Sequence, residues 1–173
     1  EILVETALQY CTPNADILDL GTGTGAIVLA LASERPNTNC SAVDFSVEAI
    51  KLANENAKQL GINNVRFFCS NWFEHVQDQY DLIVSNPPYI DADDIHLQQG
   101  DVRFEPLSAL VAPENGLADI RLIVEQAKKH LKAGGKLFIE HGFEQGEAVR
   151  SLFTLACYDS IKTITDYGGN ERI

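Results

Sequence analysis

Ile17-Leu18-Asp19-Leu20-Gly21-Thr22-Gly23-Thr24-Gly25, running on into Ala26-Ile27-Val28-Leu29-Ala30-Leu31-Ala32, decides the fold of this chain. A short apolar strand meets a glycine at every second position and then an apolar helix. That is the opening of a βαβ unit, in which the strand-to-helix turn lets a ligand approach the backbone and amides point outward. Outward from it the alternation continues. Residues 2–10 read as a helix, and Ala42-Val43 closes a second strand at Asp44. Ser46 caps a helix over 47–60 that keeps Glu48 and Glu55 outside, and Gly61 ends it. Val65 to Cys69 and residues 80–85 are further strands. Residues 90–116 form a long irregular segment, and in compact domains such loops are functional or disordered. A helix over 117–131 places Leu117, Ile120, Val124, Ala127 and Leu131 on one stripe, and Gly134-Gly135 turns into a strand from Lys136 to Glu140. A helix over 146–156 and a strand over 160–165 complete the pattern. Alternating elements predict an α/β fold with a mostly parallel sheet and helices on both faces, built as one domain over 1–173.

Charge and composition narrow the function. The net charge is −12, with 25 acidic against 13 basic residues and no basic run. A protein that grips a long stretch of nucleic acid needs a basic footprint, so a protein or small-molecule substrate is expected and direct nucleic-acid binding is not. No apolar stretch approaches the roughly 20 residues that span a bilayer, and no signal-peptide pattern opens the chain. A cytoplasmic monomer is expected, with no membrane association. Four cysteines, at 11, 40, 69 and 157, lack metal-type spacing and read as buried thiols of a reducing compartment. With no Met anywhere, an excised domain or processed product is expected.

Two constellations carry chemistry. Asp44 ends the second strand 19 residues past Gly25, where a carboxylate can take both hydroxyls of a ribose. Dinucleotide binders share that logic, but their fingerprint is G-x-G-x-x-G. The G-x-G-x-G of Gly21, Gly23 and Gly25 fits S-adenosylmethionine better, the plain alternative being a tight turn with no ligand. The second constellation is Asn86-Pro87-Pro88-Tyr89, directly after the fourth strand. Each proline fixes φ and lacks an amide donor, so the carbonyls of Asn86 and Pro87 escape a local turn ladder. Together with the Asn86 side-chain oxygen they are acceptors for a planar NH2 group, on which Tyr89 can stack. Either an exocyclic base amine or a side-chain amide satisfies that grip.

The Asp-x-Gly-x-Gly-x-Gly loop with its acid after strand two resembles class I S-adenosylmethionine-dependent methyltransferases. Asn86 to Tyr89, followed by Ile90, His96-Leu97, Val102-Arg103-x-Glu105-Pro106 and Ala109-Leu110, and closed by Asp166-Tyr167-x-x-Asn170-Glu171-Arg172, resembles the release factor glutamine methyltransferases within that class. The resemblance runs from Ile2 to Ile173. It implies a Rossmann-like, mostly parallel seven-stranded sheet, a missing N-terminal helical domain and an incomplete last strand. It implies that Gly21, Thr22, Gly23, Thr24 and Gly25 cradle the methionine end of S-adenosylmethionine and Asp44 holds its ribose. Asn71 would accept from the adenine amino group, and Trp72 would wall the pocket or simply pack in the core. Asn86 would face both cofactor and substrate. The product would be S-adenosyl-L-homocysteine, without any metal. The partner would be a peptide chain release factor, methylated on the amide nitrogen (N5) of a glutamine in its Gly-Gly-Gln loop. The rival class is adenine-N6 or guanine-N2 methylation, against which the acidic charge argues.

Asn86 and Pro87 are the expected catalytic pair, with Pro88 and Tyr89 completing the substrate grip. Their acceptors would orient the amide and stabilise the positive charge developing on its nitrogen, with no strong base needed before attack. The other polar residues have plainer readings. His75, His96, His130 and His141 lack ligand spacing, although His141 follows strand five at the ligand-binding end of the sheet. Arg103 and Glu105 read as an ordering ion pair, with shaping of the substrate channel as what the resemblance implies. Asp91, Asp93 and Asp94 read as a solvated loop face, the alternative being a face toward a basic stretch of the protein partner.

Overall fold

A computed structural model describes residues 1–90 and 110–173. Asp91, Asp93, Asp94, His96, Arg103 and Glu105 lie outside the described residues. The chain divides into two compact units, Glu1–Asn86 with Gln126–Ile139, and Pro87–Glu125 with Glu140–Ile173.

The first unit holds the sheet. Its elements are α1 (Ile2–Tyr10), β1 (Asp16–Leu20), α2 (Ala26–Glu34), β2 (Asn39–Asp44), α3 (Val47–Leu60), β3 (Val65–Cys69), β4 (Tyr80–Ser85) and β5 (Leu131–Ile139). The five strands run parallel in the order β3-β2-β1-β4-β5. β1 and β4 are buried at nearly every position rather than at alternate ones, as strands covered on both faces are. Ile17, Leu82 and Val84 pack with Val28, Leu31 and Ala32 of α2 and Ala7 of α1 in one core. The expected caps of α3 form: Ser46 Oγ accepts from the Ala49 amide at 3.2 Å, and Gly61 follows the helix with φ 69°. Chain order reverses between β1 and β4, so the carboxyl ends of those two strands flank the crevice where open α/β sheets take ligands.

The second unit contains α4 (Pro113–Gly116), the larger part of α5 (Ala118–Ala127) and α6 (Gly146–Leu155). α4 is a single turn in which Glu114 and Asn115 adopt left-handed φ/ψ values. The closing motif is a knot around Asp166. Its Oδ1 accepts from the amides of Gly168 and Asn170 at 2.9 Å each, and its Oδ2 from Arg172 Nε at 3.1 Å. Glu171 accepts from Arg150 at 3.0 Å.

Four expectations need correction. The helix over 117–131 stops at Ala127, because the amides of Lys129 and His130 turn back to the carbonyls of Gln126 and Ala127 at 3.1 and 2.9 Å. Leu131 therefore opens β5 instead of ending the helical stripe. β5 starts well before Lys136 and carries Gly134-Gly135 inside it, where the pairing with β4 jumps from Tyr80↔Leu131 to Leu82↔Lys136. Residues 160–165 form no strand: Ser160 has φ 58°, and Thr165 makes a single antiparallel bridge with Glu171 while Ile164 bonds to Ile173. That segment pairs with its own tail, and the sheet has five strands among the described residues, in keeping with the expected incomplete sheet. Of the cysteines, Cys40 is buried, Cys11 and Cys69 are half-buried and Cys157 is exposed, and all four are free thiols.

Candidate functional site

The sheet register aligns the candidate residues of the first unit. Leu20 pairs with Val43 on one side and Ser85 on the other, and Asp44 pairs with Cys69. The carboxyl ends of β1 to β4 therefore come level, and Gly21, Asp44, Ser70 and Asn86 emerge together. Gly21 and Asn86 each follow a member of the Leu20–Ser85 pair, so they start on strands about 4.8 Å apart. Ser85 Oγ locks this pair by donating to the Leu20 carbonyl at 2.9 Å.

The loop after β1 needs its glycines for conformation, since Gly21, Gly23 and Gly25 have φ of 68°, 54° and 84°. Contrary to the expectation of outward amides, three of them are engaged within the protein. The Thr22 amide donates to the Val43 carbonyl at 2.9 Å, the Gly25 amide to the Thr22 carbonyl at 2.8 Å, and the Gly23 amide to Asp44 Oδ2 at 2.9 Å. What this loop offers a ligand is close backbone approach: a Cβ on Gly23 would meet nothing within 4 Å. Thr24 is exposed on its outer turn.

Asp44 is buried and holds two backbone groups, the Gly23 amide on Oδ2 and the Ser46 amide on Oδ1, each at 2.9 Å. It ties the loop after β1 to the end of β2, and each oxygen keeps a further lone pair. Beyond β3, Ser70 donates from its amide to the Asp44 carbonyl at 3.0 Å and from Oγ to the Trp72 carbonyl at 2.8 Å. This holds Trp72 at φ 49° with its ring over Gly21, where a Cβ would lie 3.3 Å from the indole. Trp72 is thus half-buried against the glycine loop, and Asn71 beside it is exposed.

Asn86 is exposed at the end of β4. Pro87, Pro88 and Tyr89 belong to the second unit, where Pro87 is buried and Pro88 and Tyr89 are half-buried. The Tyr89 carbonyl accepts from Gln145 Nε2 at 3.0 Å. His141 is buried in that unit, with Nδ1 2.8 Å from the Gly142 carbonyl and its amide donating to Arg172 at 2.8 Å. Among the described residues no cluster of three or more His, Cys, Asp or Glu could hold a metal ion. None of the described helices is long and apolar enough to cross a membrane.

Two side chains at this end of the sheet escaped the sequence reading. Asp19 entered it only as the first letter of the glycine pattern, yet its carboxyl is 0% exposed. Oδ2 accepts from Thr22 Oγ1 at 2.7 Å, and Oδ1 has no partner. Burial pushes its pKa up to about 7; the Thr22 hydroxyl and the Val28 amide oppose that rise and the nearby Asp44 adds to it. A buried carboxyl with an orphaned oxygen is suited to a cationic or hydrogen-bond-donating group. Phe45, next to Asp44, is 63% exposed at the carboxyl edge of β2. An aromatic directly after a strand-ending acid is the signal that could have found it.

A family model described as a methyltransferase domain matches residues 12–168. A release factor glutamine methyltransferase of Salmonella typhimurium is 55% identical, over all of this chain and 63% of its own length. One from Escherichia coli is also 55% identical, again over 100% of this chain and 63% of its own length. This chain thus spans less than two thirds of the length of these curated relatives. Among solved structures, a methyltransferase from Pyrococcus furiosus superposes with a TM-score of 0.71 at 22% identity, covering 99% of this chain and 76% of its own. That likeness shows the fold, a Rossmann-like methyltransferase sheet. The chain belongs to the methyltransferase domain family, and along its whole length it is a relative of the release factor glutamine methyltransferases.

Proposed function

We propose that this chain is the catalytic domain, over residues 1–173, of a cytoplasmic enzyme that methylates a glutamine side-chain amide in the Gly-Gly-Gln loop of a peptide chain release factor. The observation that carries this is the 55% identity to release factor glutamine methyltransferases across the entire chain. The net charge of −12 favours a protein over a nucleic-acid substrate.

The residues present fit S-adenosylmethionine as methyl donor. Open space over Gly23, the orphaned Asp19 Oδ1 and the exposed Phe45 ring all lie at the carboxyl end of the sheet. When bound, the donor supplies an electrophilic methyl group on a sulfonium. Gly21, Thr22, Gly23, Thr24 and Gly25 would line its methionine end, whose ammonium group suits the Asp19 carboxyl. The remaining lone pairs of Asp44 would accept from the ribose hydroxyls. Phe45 and Trp72 would wall the adenine, with Asn71 accepting from its amino group.

An amide nitrogen is a poor nucleophile, because its lone pair is delocalised into the carbonyl. Asn86 Oδ1 and the Pro87 carbonyl would accept its two hydrogens, orienting the nitrogen and stabilising the positive charge that develops there. No carboxylate or imidazole is built into the motif, so the proton leaves to solvent after transfer. Tyr89 would stack on the amide plane. The enzyme acts as a single chain in this scheme, without a metal.

The test is incubation with methyl-labelled S-adenosylmethionine and either purified release factor or nucleic acid. Label on the glutamine of the release factor is the expected outcome. Label in nucleic acid alone would overturn the proposal in favour of an exocyclic base amine.

A further inference from the structure

Gln145 sits between β5 and α6, and every polar atom of its side chain is engaged. Oε1 accepts from the Gly142 amide at 2.8 Å, while Nε2 donates to the carbonyls of Tyr89 at 3.0 Å and Asn115 at 2.9 Å. All four residues lie in the second unit. Tyr89 and Asn115 flank a neck in the chain, where Ile90 and Val111 form a parallel bridge. There the Ile90 amide donates to Leu110 at 2.9 Å and the Ala112 amide to Ile90 at 3.0 Å. One side-chain amide therefore joins three backbone segments, spanning 56 positions to Tyr89 and 30 to Asn115. Gly116 closes the same spot: at φ 77°, any Cβ there would run into the Tyr89 carbonyl and Gln145 Nε2.

Tyr89 needs an external hold because Pro87 and Pro88 donate no amide, so the motif cannot fix itself through a local ladder. We infer that Gln145 is a positioning residue for the substrate: by anchoring the Tyr89 carbonyl it sets the aromatic end of the Asn86-Pro87-Pro88-Tyr89 grip. This rests on the proposed function. The donor end of Gln145 is what matters. Glu at this position keeps the shape and the acceptor for Gly142 but turns an oxygen toward two carbonyl oxygens. Met keeps the approximate shape and makes none of the three bonds.

The chain, Gln145→Glu and Gln145→Met are compared in four measurements: release factor methylation, S-adenosyl-L-homocysteine affinity, amide exchange at Ile90 and Ala112, and melting temperature. Loss of two hydrogen bonds, worsened by repulsion in Gln145→Glu, should raise KM for the release factor about 10- to 100-fold. The kcat should stay within about threefold, S-adenosyl-L-homocysteine affinity within about twofold, and exchange at Ile90 and Ala112 should quicken. Gln145→Met should fall between Gln145→Glu and the unsubstituted chain. An unchanged KM and unchanged exchange would overturn the assignment. So would a loss of S-adenosyl-L-homocysteine affinity in step with melting temperature, which marks general unfolding. If the unsubstituted chain leaves the release factor unmodified, the proposed function fails by itself. The anchoring of Tyr89 is then judged by the exchange rates alone.

Discussion

Replacing Asp19 by Asn should change how the stability of the ligand-free protein depends on pH. In the fold the Asp19 carboxyl titrates at about 7, against an ordinary value of 3.8. Its folded pKa is raised, so between those values the native state binds more protons than the unfolded chain. Stability must then fall as pH rises through that window and level off above it. The gap of about three pH units corresponds to roughly 4 kcal/mol, at about 1.4 kcal/mol per unit. Asparagine removes this dependence while keeping an oxygen for the Thr22 hydroxyl. Its buried NH2 adds a pH-independent penalty of about 1–3 kcal/mol. The slope is therefore the informative quantity. Urea unfolding of both proteins from pH 5 to 8 should show Asp19→Asn gaining on the parent by roughly 2–3 kcal/mol up to pH 7, then running parallel. Parallel curves over the whole range would mean that Asp19 is already ionised and paired in the native state, and the reasoning from its orphaned oxygen would fall.

Three further outcomes are expected. Asn86→Ala should lower kcat for release factor methylation by about 2–4 kcal/mol of transition-state stabilisation, whereas Asn86→Asp keeps an acceptor and should retain more; near-parental turnover in Asn86→Ala would remove Asn86 from the reaction. Phe45→Ala should weaken S-adenosyl-L-homocysteine binding in calorimetry with little change in melting temperature, because a ring 63% exposed contributes little to the core. Lys132 donates to Asp16 at 2.5 Å and Asp81 at 2.8 Å, tying the amino ends of β1 and β4 to β5. Burial pushes the Asp81 carboxyl up, but hydrogen bonds from Lys132 and the Asp16 amide outweigh it and hold it below 3.8. Lys132→Met should cost about 1 kcal/mol near neutral pH for these half-exposed groups. That difference should shrink in denaturant titrations as pH falls below 3.8, where Asp81 takes up its proton.

Legibility followed the range of the interactions. The glycine loop, the Ser46 and Gly61 caps and the strands ending at Leu20, Asp44 and Ser85 depend on neighbours a few residues away, and they could be read directly. The end of α5 could not, since Leu131 continues the apolar stripe; pairing with Tyr80 draws it into a strand. The segment 160–165 has strand composition, but its partner is the tail from Glu171 to Ile173. Composition does not say which partner a strand-like run will find.

The sequence by itself determined the fold class, the membership of a methyltransferase family and the choice of Asn86 as a residue to test, because each is encoded in short spacings of glycine, acid, asparagine and proline. Only the tertiary structure decided what those residues do to one another. It turned three loop amides inward, one of them onto Asp44, laid Trp72 over Gly21, and left Asp19 buried with one oxygen unpaired. It also joined Tyr89 to Gln145 across 56 positions. Burial and long-range hydrogen bonding depend on which elements come together in space, and no local spacing carries that information.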